Sequence, residues 1–408
     1  MPDLLDTFIT PEQKATVRAP IGEAMTLPRH CFTSDAFFEL EVERIFSRHW
    51  LALCFAAQLP EPGHLLPLEF AGIPLLVVRA GDGIRVFHNI VPYDGCLAVL
   101  EEAGAQDGIV TPYHGWRYDL QGKLQATPYW DGQLQADLAA LGGHARDLQE
   151  VPSRLAFGMV FIDLGGQAGA FEDQLARLQA LLAAYHTEGL ELGRDEHGTP
   201  LVDSEQLATN WKTHYENWAL NVLHEAFTHE VYAASPQIPR VDAKGRKTYQ
   251  TVLDRSLMAL AYQEQDFAET YELDELPFPA IGRDAAALPE QSFIGSLFPN
   301  VHMAVFPYFI HFIIALPVSA GQTRTLRAQF YAADAAVDPE YLEARLELQA
   351  EFQQAGQEDG RITEAVQRAR RSPAYTQQFY SPFWDQMHYR FSNQVLDALE
   401  QGGTRLSW

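Results

Sequence analysis

Along this chain the spacing of apolar positions switches between a helical and a strand-like rhythm, and each switch marks an element. Over residues 37–50, Phe37, Phe38, Leu40, Val42, Ile45 and Phe46 recur at helical spacing and predict a short amphipathic helix. After Pro60-Glu61-Pro62-Gly63 the rhythm shortens. Residues 64–70, 73–79 and 84–89 read as strands, with Ala71-Gly72 and Ala80-Gly81-Asp82-Gly83 as hairpin turns between them. Further strands are predicted at 108–111, 116–120 and 159–163, with Gln121-Gly122 as a turn, so residues 48–164 read as a small all-β domain. From Gly165 to about residue 185 the chain is rich in Ala, Leu and Gln and reads as helical, as does 211–232. Residues 292–318 and 324–332 are aromatic and β-branched, broken at Pro299-Asn300 and at Ser319-Ala320-Gly321-Gln322, and predict long antiparallel strands. A long charged helix is predicted at 338–371, with Pro373 beyond its end. Residues 165–408 are therefore expected to be α+β, a sheet with helices packed on it. No internal repeat stands out.

Composition narrows the partners more than the fold. The chain has 408 residues, 47% of them hydrophobic, enough for more than one domain core. Its formal charge of −25 repels phosphate, which argues against nucleic acid or an anionic membrane as partner. Three cysteines (Cys31, Cys54, Cys96) form no C-x-x-C pair, as suits a reducing compartment. Residues 1–19 lack the apolar core of a signal peptide, and apolar runs such as 311–318 fall short of the ~20 residues that span a bilayer. A cytoplasmic, soluble protein is expected.

Two segments of the β domain carry a specific pattern: Asn89-Ile90-Val91-Pro92-Tyr93-Asp94-Gly95, and Thr111-Pro112-Tyr113-His114-Gly115-Trp116 leading into Arg117-Tyr118-Asp119-Leu120-Gln121-Gly122. They resemble the signature of the Rieske ring-hydroxylating oxygenase α-subunits, in which C-x-H and, one loop later, C-P-Y-H-G-W hold a [2Fe–2S] cluster through two Cys and two His. Further matches follow in order: the helix at 37–50, Asn210-Trp211-Lys212, and Glu358-Asp359 with Glu364-Ala365-Val366-Gln367-Arg368. The resemblance implies an N-terminal helical segment (1–47) packing on the catalytic domain, a Rieske-like domain (48–164) and a helix-grip catalytic domain (165–408). The framing residues are kept, but by position Val91 stands for the first Cys, Tyr93 for the first His and Thr111 for the second Cys. Only His114 is a family ligand type, and neither Cys96 nor His88 fits the spacing. No [2Fe–2S] cluster is expected, since no thiolate is offered at these positions.

His224 and His229 match the family's H-x4-H, whose histidines hold one Fe(2+) with a carboxylate, here Asp359 by position. In isolation H-x4-H is a weak signal, since two histidines in an amphipathic helix are more often structural than metal-binding. Residues five apart diverge on an ideal helix, so a shared metal requires that the helix distort or end between them. Glu358, Glu364 and Glu225 are the rival carboxylates, and Glu358 is expected to matter little. Where the family has an acid bridging its two metal centres across subunits, this chain has Asn221. Asn217 and Asn221 are expected at the reaction centre. Trp218, Leu220 and Phe227 are expected to line a substrate pocket, which Phe298, Phe306, Tyr308, Phe309 and Phe312 could wall.

The resemblance thus implies an iron oxygenase subunit acting with O2 on a small hydrophobic or aromatic molecule by hydroxylation or dealkylation. Electrons would come from a cluster-bearing α-type partner in a trimer or hexamer, fed by a reductase or ferredoxin. Two alternatives remain at this stage: a non-catalytic structural or regulatory subunit, and a cluster-independent iron enzyme that takes electrons from its substrate.

Overall fold

The computed structural model describes residues 3–135, 137–219, 222–229, 240–263, 276–283 and 291–402. The chain divides into two compact units, 52–166 and the remainder.

The smaller unit is built from β1 (Trp50–Phe55), β2 (Leu65–Phe70), β3 (Ile73–Ala80), β4 (Gly83–His88), β5 (Ile109–Val110), β6 (Arg117–Tyr118), β7 (Leu124–Ala126), β8 (Glu150–Val151), β9 (Ser153–Ala156) and β10 (Met159–Asp163). They form sheets in the orders β2-β3-β4-β8, β1-β10-β9 and β5-β6-β7. The β2–β3 turn holds Ala71 at φ 51° and Gly72 at φ 80°, the doubly left-handed geometry that matches the twist of a two-residue hairpin. At Gly122 (φ 73°) an added Cβ would lie 2.5 Å from the Phe87 ring, so the sheet tolerates only glycine there.

Two loops in this unit are near copies. Val91-Pro-Tyr-Asp-Gly95-Cys96 and Thr111-Pro-Tyr-His-Gly115-Trp116 each close with a hydrogen bond from the glycine N–H to the first residue's carbonyl (3.0 and 3.2 Å). In each, the first residue's N–H donates to the sixth residue's carbonyl at 2.8 Å. This short internal repeat is not apparent from the sequence, because six residues with three shared types fall below ordinary repeat detection.

The larger unit begins with α1 (Leu4–Phe8), α2 (Pro11–Val17) and α3 (Asp35–Arg44), continues with α4 (Phe171–Leu181), α5 (Trp211–Ala219) and α6 (Glu225–Thr228), and ends with α7 (Ala333–Val337), α8 (Leu342–Arg370) and α9 (Gln386–Gln401). Its strands are β11 (Leu190–Leu192), β12 (Asp203–Leu207), β13 (Tyr249–Leu253), β14 (Leu257–Gln263), β15 (Gln291–Leu297), β16 (Val301–Val305), β17 (Ile310–Ser319) and β18 (Gln322–Ala332). They form one antiparallel sheet, β11-β18-β17-β16-β15-β14-β13, with β12 also pairing β18. The helix expected at 37–50 stops at Arg44, and Trp50 already opens a strand. The single strand expected before Val318 is broken a second time, at 306–309.

The Asn210-Trp211-Lys212 motif places α5 against the sheet. Asn210 caps the helix, its Oδ1 accepting from Lys212 N (3.0 Å) while its Nδ2 donates to Ala320 O (2.7 Å). Trp211 fills the core and donates its Nε1–H to Glu41 Oε2 on α3 (3.0 Å). Lys212 Nζ meets the other oxygen of the same carboxylate, with both side chains fully buried. No helix among the described residues is long and apolar enough to cross a membrane.

Candidate metal centre

The helix predicted over 211–232 breaks where a shared metal site needs it to. α5 ends at Ala219, a tight turn covers Val222–His224, α6 is a single turn, and His229 is already extended (φ −96°, ψ 107°). Both imidazoles are thereby turned towards α8. His224 Nε2 lies 3.7 Å and His229 Nε2 3.4 Å from Asp359 Oδ1, and one ligand atom from each of the three residues falls within 4.8 Å of the others. Asp359 Oδ1 is buried and has no hydrogen-bond partner among the described residues. A buried carboxylate oxygen left in that condition between two imidazole nitrogens is what a cation between them would satisfy. Two imidazoles and a carboxylate are the donor set that suits ferrous iron, so the residues present fit the group.

Glu358 was expected to matter little, and the structure corrects this. Its Oε2 accepts from His229 Nδ1 at 2.9 Å, which holds the ring proton on Nδ1 and leaves Nε2 as the lone-pair nitrogen facing Asp359. The other rival carboxylates are engaged elsewhere. Glu225 Oε2 is 3.1 Å from Arg240 Nε, and Glu364 Oε1 accepts from Ala208 N at 2.9 Å.

A cavity of about 820 Å³, part of it open to solvent, adjoins the three residues. Asn217 and Trp218 line it, and Trp218 is fixed by a bond from Nε1 to Gly295 O (3.1 Å). Leu220 and Asn221 lie outside the described residues. Phe227 is not a wall residue but 83% exposed. Its position, two residues after the inward Glu225, puts it roughly 200° round the helix turn. Of the sheet aromatics, Phe306 lines the cavity, whereas Phe298, Phe309 and Phe312 are buried outside its wall. Wall residues that the sequence did not disclose include His214, His311, Arg327 and Phe352. One signal was available. Gly356 and Gly360 sit i,i+4 inside α8, where glycine costs roughly 1 kcal/mol relative to alanine and so marks a close approach. An added Cβ at Gly356 would lie 2.6 Å from the Arg327 guanidinium.

In the smaller unit the four positions of the cluster motif are occupied as follows. Val91 is fully buried in an apolar cluster with Leu76, Phe87, Ile109 and Trp116. Tyr93 stacks on Trp116 (ring centroids 5.0 Å, 5° between planes). Thr111 Oγ1 accepts from Trp116 N (3.0 Å), and His114 Nδ1 donates to Asp94 Oδ2 (2.6 Å).

The family model described as "Ring hydroxylating alpha subunit (catalytic domain)" matches residues 184–401, and the Rieske [2Fe-2S] domain model matches 49–139. The glycine betaine monooxygenase oxygenase subunit of Chromohalobacter salexigens is 29% identical over 53% of this chain and 47% of its own length. The large oxygenase component of the 2,4-dinitrotoluene dioxygenase system of a Burkholderia species is 31% identical over 51% of this chain and 46% of its own. The matched stretch thus spans about half the length of these relatives. A crystal structure of a quaternary ammonium Rieske monooxygenase with an inhibitor shares the fold, with a TM-score of 0.73 at 21% identity over 96% of this chain and 98% of that one. The catalytic-domain match implies mononuclear iron as cofactor. Matched to that model over more than half of its length, the chain belongs to the ring hydroxylating alpha subunit family.

Proposed function

We propose that this chain is the iron-bearing, substrate-binding subunit of an oxygenase, with His224, His229 and Asp359 holding one Fe(2+). The observation that carries the reading is the convergence of two imidazole nitrogens on the buried Asp359 Oδ1, which has no hydrogen-bond partner among the described residues. Such an ion would leave adjacent coordination positions open to O2. Glu358 would orient His229 through its Nδ1 proton, Trp218 and the sheet would wall the cavity, and Asn217 would face the reacting molecule.

The smaller unit, in this reading, keeps the frame of a Rieske domain without its cluster. Val91 offers only methyl groups, Thr111 is committed to the backbone of its own loop, Tyr93 is stacked, and His114 is held by Asp94. The match to the Rieske domain model reflects that retained frame. Electrons would then arrive from a cluster-bearing α-type partner subunit supplied by a reductase or ferredoxin, in a trimer or hexamer. Three free cysteines fit a cytoplasmic setting.

The proposed substrate is a small hydrophobic or aromatic molecule to be hydroxylated or dealkylated. Leu207, Ile294, Phe306, Ile313 and Phe352 supply the apolar wall. The names of two relatives raise quaternary ammonium compounds as a second reading. The lining speaks against it: the carboxylates there are Glu225, held by Arg240, and Asp359, assigned to iron. The test is purification of the full chain alone, with iron and acid-labile sulfide content and O2 consumption measured with and without a cluster-bearing partner. About one iron per chain, no sulfide, and O2 uptake only with the partner are expected. Stoichiometric sulfide would overturn the cluster-free reading, and iron loading unaffected by His224→Ala would overturn the site.

A further inference from the structure

The sheet face beneath α5 is polar where a hydrocarbon site would be oily. By register, Ser296, His302, His311, Arg327 and Gln329 share that face with Ile294, Ala304 and Ile313. Two imidazoles at the cavity wall are the useful ones. His214 is 7% exposed, and its Nδ1 is buried with no hydrogen-bond partner among the described residues. His311 stacks on Phe352 (4.2 Å) and receives a hydrogen bond at Nδ1 from Gln329 Nε2 (3.2 Å). An amide nitrogen can only donate, so the proton of the neutral His311 ring sits on Nε2 and that nitrogen is a donor. Burial, reinforced by the Arg327 guanidinium, holds both rings down at about 3, so both are uncharged near neutral pH.

Charge at the wall is already balanced. Arg327 reaches Asp203 (3.3 Å) and Glu205 (2.7 Å), which removes most of its pull on a substrate carboxylate. What is left is one imidazole donor, one unpaired imidazole nitrogen and an apolar surround. We propose that His214 and His311 form a hydrogen-bonding subsite for an uncharged polar group, a hydroxyl or carbonyl, on a substrate whose apolar body lies against Ile294, Phe306, Ile313 and Phe352. This rests on the reading of the cavity as the site of a small apolar substrate and adds to it the group that orients the molecule.

Isothermal titration calorimetry on the metal-free full chain, with 2-naphthol, naphthalene and carnitine as probes, tests the subsite without reference to iron. We expect 2-naphthol to bind ~10-fold tighter than naphthalene, about one hydrogen bond's worth. His214→Leu and His311→Phe should each shrink that ratio towards one, and His214→Gln should keep part of it. Equal binding of the two naphthyl compounds, or a ratio unchanged in both variants, would overturn the subsite while leaving the apolar cavity standing. Binding of carnitine with no binding of either naphthyl compound would overturn the substrate reading as well. Should His214→Leu fail to fold by circular dichroism, the wild-type ratio and His311→Phe decide the matter.

Discussion

Glu358 Oε2 lies 2.9 Å from His229 Nδ1, while the next residue's carboxylate, at Asp359 Oδ1, lies 3.4 Å from Nε2 of the same ring. Adjacent residues of α8 thus face both nitrogens of one imidazole, Glu358 as a hydrogen-bond acceptor and Asp359 as the third ligand of the proposed iron site. Removing an orienting partner of a metal-bound histidine typically costs about 10–100-fold in affinity. Glu358→Ala is therefore expected to weaken ferrous or cobaltous binding by that order, with thermal unfolding of the metal-free chain nearly unchanged. Asp359→Ala should abolish measurable binding. Metal titration followed by cobalt absorbance separates the two, and indistinguishable wild-type and Glu358→Ala curves would remove Glu358 from the site.

The paired loops of the smaller unit make a second prediction. Their backbone hydrogen bonds are intact, and what is missing is ligand side chains. Val91→Cys, Tyr93→His and Thr111→Cys together should let the folded chain take up iron and sulfide on reconstitution, visible as new absorption and acid-labile sulfide. The wild-type chain treated identically should take up none. A folded triple variant that stays colourless would mean that the packing of Val91 and the Tyr93–Trp116 stack have closed the space.

Lys212 and Glu41 form a buried ion pair between α5 and α3, and neither side chain reaches solvent. Lys212→Met strands a buried carboxylate and should destabilise the chain by roughly 3–5 kcal/mol. The double substitution Lys212→Met with Glu41→Gln should recover most of that loss, because no unpaired charge remains. Urea unfolding of the four proteins in the cycle measures the coupling, and a double variant as unstable as the sum of the single ones would contradict it.

Acid should act in part through Glu216. Burial alone would raise its carboxyl, but the Arg370 guanidinium (2.6 Å) and the His388 imidazole (3.1 Å) outweigh burial and hold it at about 2. A carboxyl depressed on folding adds stability above its unfolded value, about 4.3, and loses that contribution as pH falls towards the folded value. Stability should therefore decline between about pH 4.5 and 2. Glu216→Gln should be less stable at pH 7 and show a flatter acid limb. Parallel acid limbs for the two proteins would exclude this pair as the source.

How much of this was legible beforehand follows the range of the forces involved. The run Phe37–Phe46, the strands between Leu65 and His88 and the long helix ending at Arg370 announce themselves, because each depends on side chains a few positions apart. The helix Gln386–Gln401 is not among the elements expected from the sequence, although Met387, Phe391, Val395 and Leu399 are all buried on it. Nor are β13 and β14 expected from the sequence, since their short runs become strands only through their pairing with each other and with β15.

The sequence by itself determined the residue types on which the chemistry depends. Two histidines and an acid stand where the family resemblance expects metal ligands, and Val91, Tyr93 and Thr111 cannot supply the thiolates of a cluster, because ligand softness is a property of the side chain alone. Only the tertiary structure decided which acid does what. Asp359 faces both imidazoles, Glu358 orients one, Glu225 is taken by Arg240 and Glu364 by a backbone amide. It also turned Phe227 out to solvent and put His214 and His311 on the cavity wall. These outcomes depend on where α5 breaks and on how α8, 129 residues further along the chain at the Glu358–His229 contact, settles over the sheet. Directions set by such distant packing leave no periodicity in the sequence, since each side chain's partner is chosen by the fold rather than by its neighbours.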